Sequence, residues 1–152
     1  MKNKILVIGS GAREHAFVRA LSRSPQEKEI YCLASNMNPG IAELSAEILI
    51  GNFNDPEFVV SYAKEAGTTL AIVGPENPLA NGIADALWDT GVKVVGPKKD
   101  LAQIETSKGF TRDLLEEYNI PGGPKYQTFN SMYRVSEFLN DLGENYVVKY
   151  DG

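Results

Sequence analysis

The residues best suited to chemistry stand at three turns. Gly9-Ser10-Gly11-Ala12-Arg13-Glu14-His15 follows the apolar run Ile5-Leu6-Val7-Ile8 and opens a stretch of helical period. Glycines there let the backbone approach a ligand closely, and the helix start presents unpaired N–H groups and a partial positive charge to an anion. The pattern reads as a phosphate grip; the plainer alternative is a tight strand-to-helix turn with no ligand. Two further turns, Asn38-Pro39-Gly40 and Gly74-Pro75-Glu76-Asn77-Pro78, also follow apolar runs. Glu76, between two prolines, suits the vicinal hydroxyls of a sugar, whose O–H groups its carboxylate would accept. Its plainer role is an acid at a helix entry, complementing the dipole.

The remaining reactive side chains carry less. Cys32 is the only cysteine and lies in Ile30-Tyr31-Cys32-Leu33, where a buried, inert thiol is expected and no intramolecular disulfide can form. His15, the only histidine, falls in the first turn of the expected helix, near any phosphate held there. Lys108 sits in Thr106-Ser107-Lys108-Gly109-Phe110, and Lys149 ends the apolar run Val147-Val148. A lysine on a helix is ordinarily solvated surface, whereas one closing a β-branched run calls for a reason. No metal-ligand spacing and no Ser-His-Asp or Cys-His set is recognisable.

What must position these turns is an alternation of short apolar runs with segments of helical period, the pattern of successive βαβ units and a parallel sheet. Strands are expected at 5–8, 29–33, 47–50, 70–73 and 92–95. The helix from about Arg13 would bury Ala16, Phe17, Ala20 and Leu21, and the helix capped by Asp55 would bury Phe58, Val59, Tyr62 and Ala63. Ile83, Ala84, Leu87 and Trp88 line the next, with Trp88 a core or edge anchor. One long helical stretch is expected from Lys98 to Tyr118, then a Pro/Gly cluster at 121–124 as a domain boundary. Beyond it, strands at 126–129 and 146–150 flank a helix capped by Ser131 and carrying Val135, Phe138 and Leu139. In an open parallel sheet the carboxyl ends of strands one, two and four converge on one crevice, which gathers the three turns.

The chain has 152 residues, 43% of them hydrophobic, and a formal charge of −5 with no basic cluster, so nucleic acid is not an expected partner. No apolar stretch approaches the ~20 residues that span a bilayer, and no signal-peptide layout opens the chain; no membrane partner and a cytoplasmic location are expected. A dinucleotide fingerprint requires a third glycine at position 14 and an acidic residue closing the second strand. Glu14 stands at the first position and Leu33-Ala34-Ser35 at the second. Both departures argue against NAD and leave room for one phosphate rather than a pyrophosphate.

Taken together, Gly9 to Ala16, Asn38-Pro39-Gly40, Gly74-Pro75-Glu76-Asn77-Pro78-Leu79 with Gly82-Ile83 and Asp85, Val95-Gly96-Pro97, Ile104 to Phe110 and Asn119-Ile120-Pro121 resemble the N-terminal part of the phosphoribosylamine–glycine ligase family, also called glycinamide ribonucleotide synthetases. The resemblance runs along essentially the whole chain, and the joint occurrence of the Arg-Glu-His-Ala turn with the Gly-Pro-Glu loop is its specific part. It implies an ATP-grasp enzyme of purine biosynthesis joining glycine to 5-phosphoribosylamine with ATP and Mg²⁺ through a glycyl phosphate. The implied fold is a Rossmann-like open parallel sheet over residues 1–120, binding the phosphoribosylamine, followed at 121–152 by a linker and the incomplete start of the ATP-grasp domain.

On this resemblance the substrate residues are Gly9, Ser10, Gly11, Arg13, Glu14, Asn38, Gly40, Pro75 and Glu76. Gly9 to Gly11 would hold the phosphate and Glu76 the ribose hydroxyls, while Lys108 and Lys149 match lysines that contact ATP phosphates. No catalytic residue and no metal ligand falls within the segment. Partners would be small molecules (phosphoribosylamine, glycine and ATP), the state a monomer, and the segment inactive alone. The chain departs from the family at Pro121-Gly122-Gly123-Pro124, where many members carry Pro-Thr-Ala, and it stops where they continue into a glycine-rich loop, so a fragment is expected. The rival readings are the leading domain of another ATP-grasp enzyme, a stand-alone sugar-phosphate module, and a nicotinamide dehydrogenase.

Overall fold

The structure, a computed structural model, describes residues 2–151; Gly152, the last residue of the final motif, lies outside them. The chain forms two compact units that meet in sequence at Ala102 and Gln103.

The first unit is built on a five-stranded, fully parallel sheet in the order β3-β2-β1-β4-β5. Its strands are β1 (Asn3–Ile8), β2 (Lys28–Ala34), β3 (Glu47–Ile50), β4 (Leu70–Val73) and β5 (Lys93–Val95). The helices between them are α1 (Ala12–Ser22), α2 (Pro39–Ala42), α3 (Pro56–Ala66), α4 (Glu76–Ala80) and α5 (Ile83–Asp89). This is the expected Rossmann-like α/β class. β1 is central, and Ile5 to Ile8 are all buried because both sheet faces are covered. Alternation along the strands sends Leu6, Ile8, Leu33, Ala71 and Val73 to one face, where they meet Val59, Tyr62 and Ala63 of α3 and Ile83, Ala84 and Leu87 of α5. Val7, Ile30, Cys32 and Ala34 point the other way, onto Val18 of α1 and Ile41 of α2.

Several helix faces differ from the periodicity reading. Along α1 the buried residues are Glu14 and Val18, whereas Ala16 and Ala20 are exposed and Phe17 and Leu21 half-buried. The helix is rotated so that the line through 14, 18 and 21 faces the sheet, which an inward-facing Glu14 requires. In α3, Val59, Tyr62 and Ala63 are buried as expected, but Phe58 lies over Gly51 at the margin. Trp88 is 42% exposed, at the edge of the stripe that Leu87 fills. Two turns read as loops also hold short helices: Asn38 caps α2 through its side chain, and Glu76 is the first residue of α4.

The long stretch from Lys98 is two helices, α6 (Lys99–Thr106) and α7 (Lys108–Glu117). Ser107 breaks them: its backbone is extended, and its hydroxyl accepts the Phe110 N–H at 3.0 Å as an N-cap. The second unit ends its regular structure with α8 (Val135–Leu142), capped at Arg134 rather than Ser131. Ser131 instead closes a turn, accepting the Tyr133 N–H at 3.3 Å. Residues 126–129 and 146–150 form no strand, because neither meets a pairing partner among the described residues. Phe129 nonetheless packs edge to face on Phe138, with ring centroids 5.8 Å apart.

Leu33, fully buried between β1 and the helices of the larger core, tests this assignment. Leu33→Ala should lower unfolding free energy in urea by about 2–5 kcal/mol. Asp55→Ala, which removes the side-chain acceptor for the Glu57 and Phe58 N–H groups, should cost only about 1 kcal/mol.

Candidate functional site at the strand ends

Strand order reverses at β1, whose neighbours β2 and β4 lead away to opposite sides, and ligands of open parallel sheets bind outside the carboxyl ends at that switch point. The turns there continue the ladder: the Gly9 N–H donates to Leu33 O at 2.9 Å and the Gly74 N–H to Ile8 O at 3.1 Å. Gly9 turns the chain at φ +117°, a conformation that L side chains rarely adopt.

Arg13 and Glu14 join the β1 turn to the β4 turn. The Arg13 guanidinium donates from Nη1 to the Gly74 carbonyl. Glu14 is 4% exposed, and its Oε2 accepts the Gly11 N–H at 2.6 Å, the backbone half of a capping box. The carboxyl group fills the space between the glycines. A Cβ built on Gly74 would fall 2.0 Å from Glu14 Oε1, and one on Gly9 2.7 Å from Glu14 Cγ and 2.9 Å from Pro75 Cδ. Glycine at 9 and 74 is thus required by the side chain at 14.

A second set of contacts joins the β1 turn to the β2 turn. Asn38 Oδ1 accepts the Gly40 and Ile41 N–H groups at 3.1 and 3.3 Å, while its Nδ2 donates to Ser10 O at 3.0 Å. The Ser10 hydroxyl donates to Asn36 Oδ1 at 3.0 Å. The half-buried His15 imidazole lies so close that a Cβ on Gly40 would be 2.4 Å from Cε1. Beneath the turn, the Cys32 thiol donates to Gly9 O at 3.2 Å. Burial, and then the Glu14 charge, push that thiol up to about 12, so it is an inert structural donor, as its place in an apolar strand implied.

Gly9, Ser10, Gly11, Arg13, Glu14, Asn38, Gly40 and Pro75 therefore stand together. Glu76 is exposed in the first turn of α4, just beyond Pro75. Lys108 and Lys149 are both exposed and belong to the second unit. There the Asp151 carboxylate sits on the start of α7, accepting the Gly109 N–H at 2.9 Å and the Ser107 hydroxyl at 3.1 Å. Those bonds, the Gly109 N–H foremost, hold its pKa below the ordinary carboxylate range. Concavities at Arg112 to Tyr126 and at Ser136 to Tyr146 hold none of the expected site residues. The parts that sequence reasoning missed are Asn36, hidden in a polar loop, and the packing of His15 on Gly40, for which the only signal was a bulky ring and a glycine in neighbouring turns.

The profile of the family described as "Phosphoribosylglycinamide synthetase, N domain" matches residues 3–105. The chain belongs to this family. The match ends close to the end of the first compact unit. Proteins named phosphoribosylamine–glycine ligase from Methanopyrus kandleri and Methanocaldococcus jannaschii are 43% and 44% identical to the chain, over 98% and 93% of its length. The chain spans about one third of the length of these family members, 33% and 32% respectively. Among solved structures, the phosphoribosylglycinamide synthetase of Anaerococcus prevotii is similar over 93% of the chain and 35% of its own, with a TM-score of 0.67 at 14% identity. The N5-carboxyaminoimidazole ribonucleotide synthetase of Thermotoga maritima is similar over 95% and 37%, with a TM-score of 0.68 at 19% identity. These likenesses, both under 25% identity, show a shared fold.

Two measurements test the joined turns. Gly40→Ala should lower the melting temperature by displacing His15, and His15→Ala should relieve much of that loss, a coupling of about 0.5–3 kcal/mol in a double-mutant cycle. Cys32 should resist thiol reagents at pH 8 until urea is added. Its raised pKa favours the folded state only while the thiol is protonated. Stability should therefore fall as pH rises from the ordinary thiol range, about 8.5, toward 12.

Proposed function

We propose that the crevice at the ends of β1, β2 and β4 binds the phosphoribosyl part of 5-phosphoribosylamine, for a ligase that joins this amine to glycine with ATP to give glycinamide ribonucleotide, ADP and phosphate. The observation that carries the reading is the joining of three turns at the switch point, in a chain of this family: Gly74 to Arg13 and Glu14, and Gly40 to His15. Backbone N–H groups at a helix start suit one phosphate, and a nearby carboxylate suits its sugar. In the crevice the start of α1 and the Ser10 turn face the phosphate, and Glu76 accepts the ribose hydroxyls.

Residues 1–120 would form the substrate-binding domain and 121–152 the start of the ATP-grasp domain. Lys108, at the first position of α7, and Lys149 are the residues that would meet ATP phosphates, which as the phosphoryl donor supplies the activation of glycine. The described residues hold no group of three or more His, Cys, Asp or Glu that could hold a metal ion. Among the described helices none is long and apolar enough to cross a membrane.

Calorimetric titration of the 152-residue chain decides the reading. Ribose 5-phosphate should bind, and NAD should not; NAD binding without a response to the sugar phosphate would overturn it. Glu76→Ala should weaken ribose 5-phosphate by about tenfold, the worth of one charge-assisted hydrogen bond, with an unchanged melting temperature.

A further inference from the structure

Lys149 lies in a segment with little to hold it. Residues 144–150 form no helix or strand, and Val147, Val148 and Tyr150 are 79%, 75% and 93% exposed, so packing does not fix them. Among the described residues from 144 onward, Asp151 alone makes hydrogen bonds. Its carboxylate grips the residues on both sides of Lys108. The Gly109 N–H donates to Oδ1 at 2.9 Å, and the Ser107 hydroxyl lies 3.1 Å from both oxygens. Gly109, the buried residue of α7, leaves room for this carboxylate: a Cβ there would stand 2.9 Å from Asp151 Oδ2 and 3.3 Å from Thr128 Oγ1. The carboxyl pKa is lowered by the Gly109 N–H first, then by Ser107, then by the N–H and the charge of Lys108. Two residues of extended chain cover at most about 7 Å, so Lys149 starts within that distance of the clasp around Lys108.

We propose that Asp151 is a positioning residue for the polyphosphate of a nucleoside triphosphate: by closing onto Ser107 and Gly109 it holds Lys149 beside Lys108, so that two ammonium groups meet one ligand. The proposal rests on the reading of these lysines as phosphate contacts and adds the device that pairs them. Among the described residues neither lysine is in an ion pair, so both charges remain for a ligand. A lysine is a point charge on a flexible four-carbon stem. Two of them serve one ligand well only where their backbones are already fixed, because ordering a loose segment is otherwise subtracted from binding. The contribution of Asp151 is geometric. Its charge opposes any anion nearby, and the clasp uses only the ability of its oxygens to accept hydrogen bonds.

The test compares Asp151→Asn with Asp151→Ala in the 152-residue chain. Both remove the charge, and only the asparagine keeps an oxygen to accept the Gly109 N–H. A short amine-to-amine cross-linker is applied to each and the Lys108–Lys149 product measured by mass spectrometry. Inorganic triphosphate is titrated calorimetrically, and melting temperatures are recorded. Asp151→Ala should give about tenfold less of the cross-link than Asp151→Asn and bind triphosphate about tenfold more weakly, the worth of one charge-assisted hydrogen bond at the clasp. A purely structural cap would shift the melting temperature and leave both ratios at one. Either ratio within twofold of one overturns the proposal. Should Asp151→Ala not fold, Gly109→Ala, which crowds the carboxylate out of the clasp, is read against the parent by the same criterion. Loss of the fold in both assigns the clasp to stability alone and also overturns it. If triphosphate binds none of these proteins, the reading of the lysines as phosphate contacts fails, while the cross-link still decides whether Asp151 pairs them.

Discussion

The site of this domain depends on one buried carboxylate. Glu14 is held by the Gly11 N–H and packed against backbone that has no side chains to give way. Burying a charge in a protein interior is costly unless it is paired or hydrogen-bonded. Here the donor is the Gly11 N–H of the same turn, and the rest of the carboxyl group packs between Gly9 and Gly74. It fills the space between the turns that follow β1 and β4, on the same face of α1 that lays Val18 onto the smaller core.

The other joint is made by an amide and an imidazole ring. Asn38 satisfies the start of α2 with one end of its amide and the Ser10 carbonyl with the other, and His15 packs against Gly40. A carboxylate joint on the β4 side and an amide-and-imidazole joint on the β2 side make the strand ends asymmetric. The two sides of the proposed crevice thus differ in chemistry, one offering a carboxylate and the other an amide and an aromatic ring.

The parallel sheet and its strand ends were legible because each strand is a short apolar run bounded by turn formers, and Asp55-Pro56 announced its helix start without ambiguity. Convergence of the turns followed from topology alone. The face of α1 was not legible: periodicity counts apolar residues, and no such count places a glutamate inward ahead of Ala16 and Ala20. Strand-like composition at 146–150 was misleading for a related reason. Val147 and Val148 have β propensity, but propensity describes fit to a sheet surface, and those residues have no sheet beside them. The helix pair at 99–117 shows the opposite balance, since Ser107 offers an N-cap that outcompetes continuation of one helix.

The contact between Arg13 and Gly74 spans 61 positions of sequence. The glycine turn at residues 9–15 looks complete when read locally, yet its shape requires the pairing of β1 with β4, across two intervening βα units. Closing so long a loop carries an entropic cost that must be met before its contacts form. The turn therefore takes its full set of contacts only once β4 is in place beside β1, and a nascent chain ending before residue 74 has the motif without its partner turn.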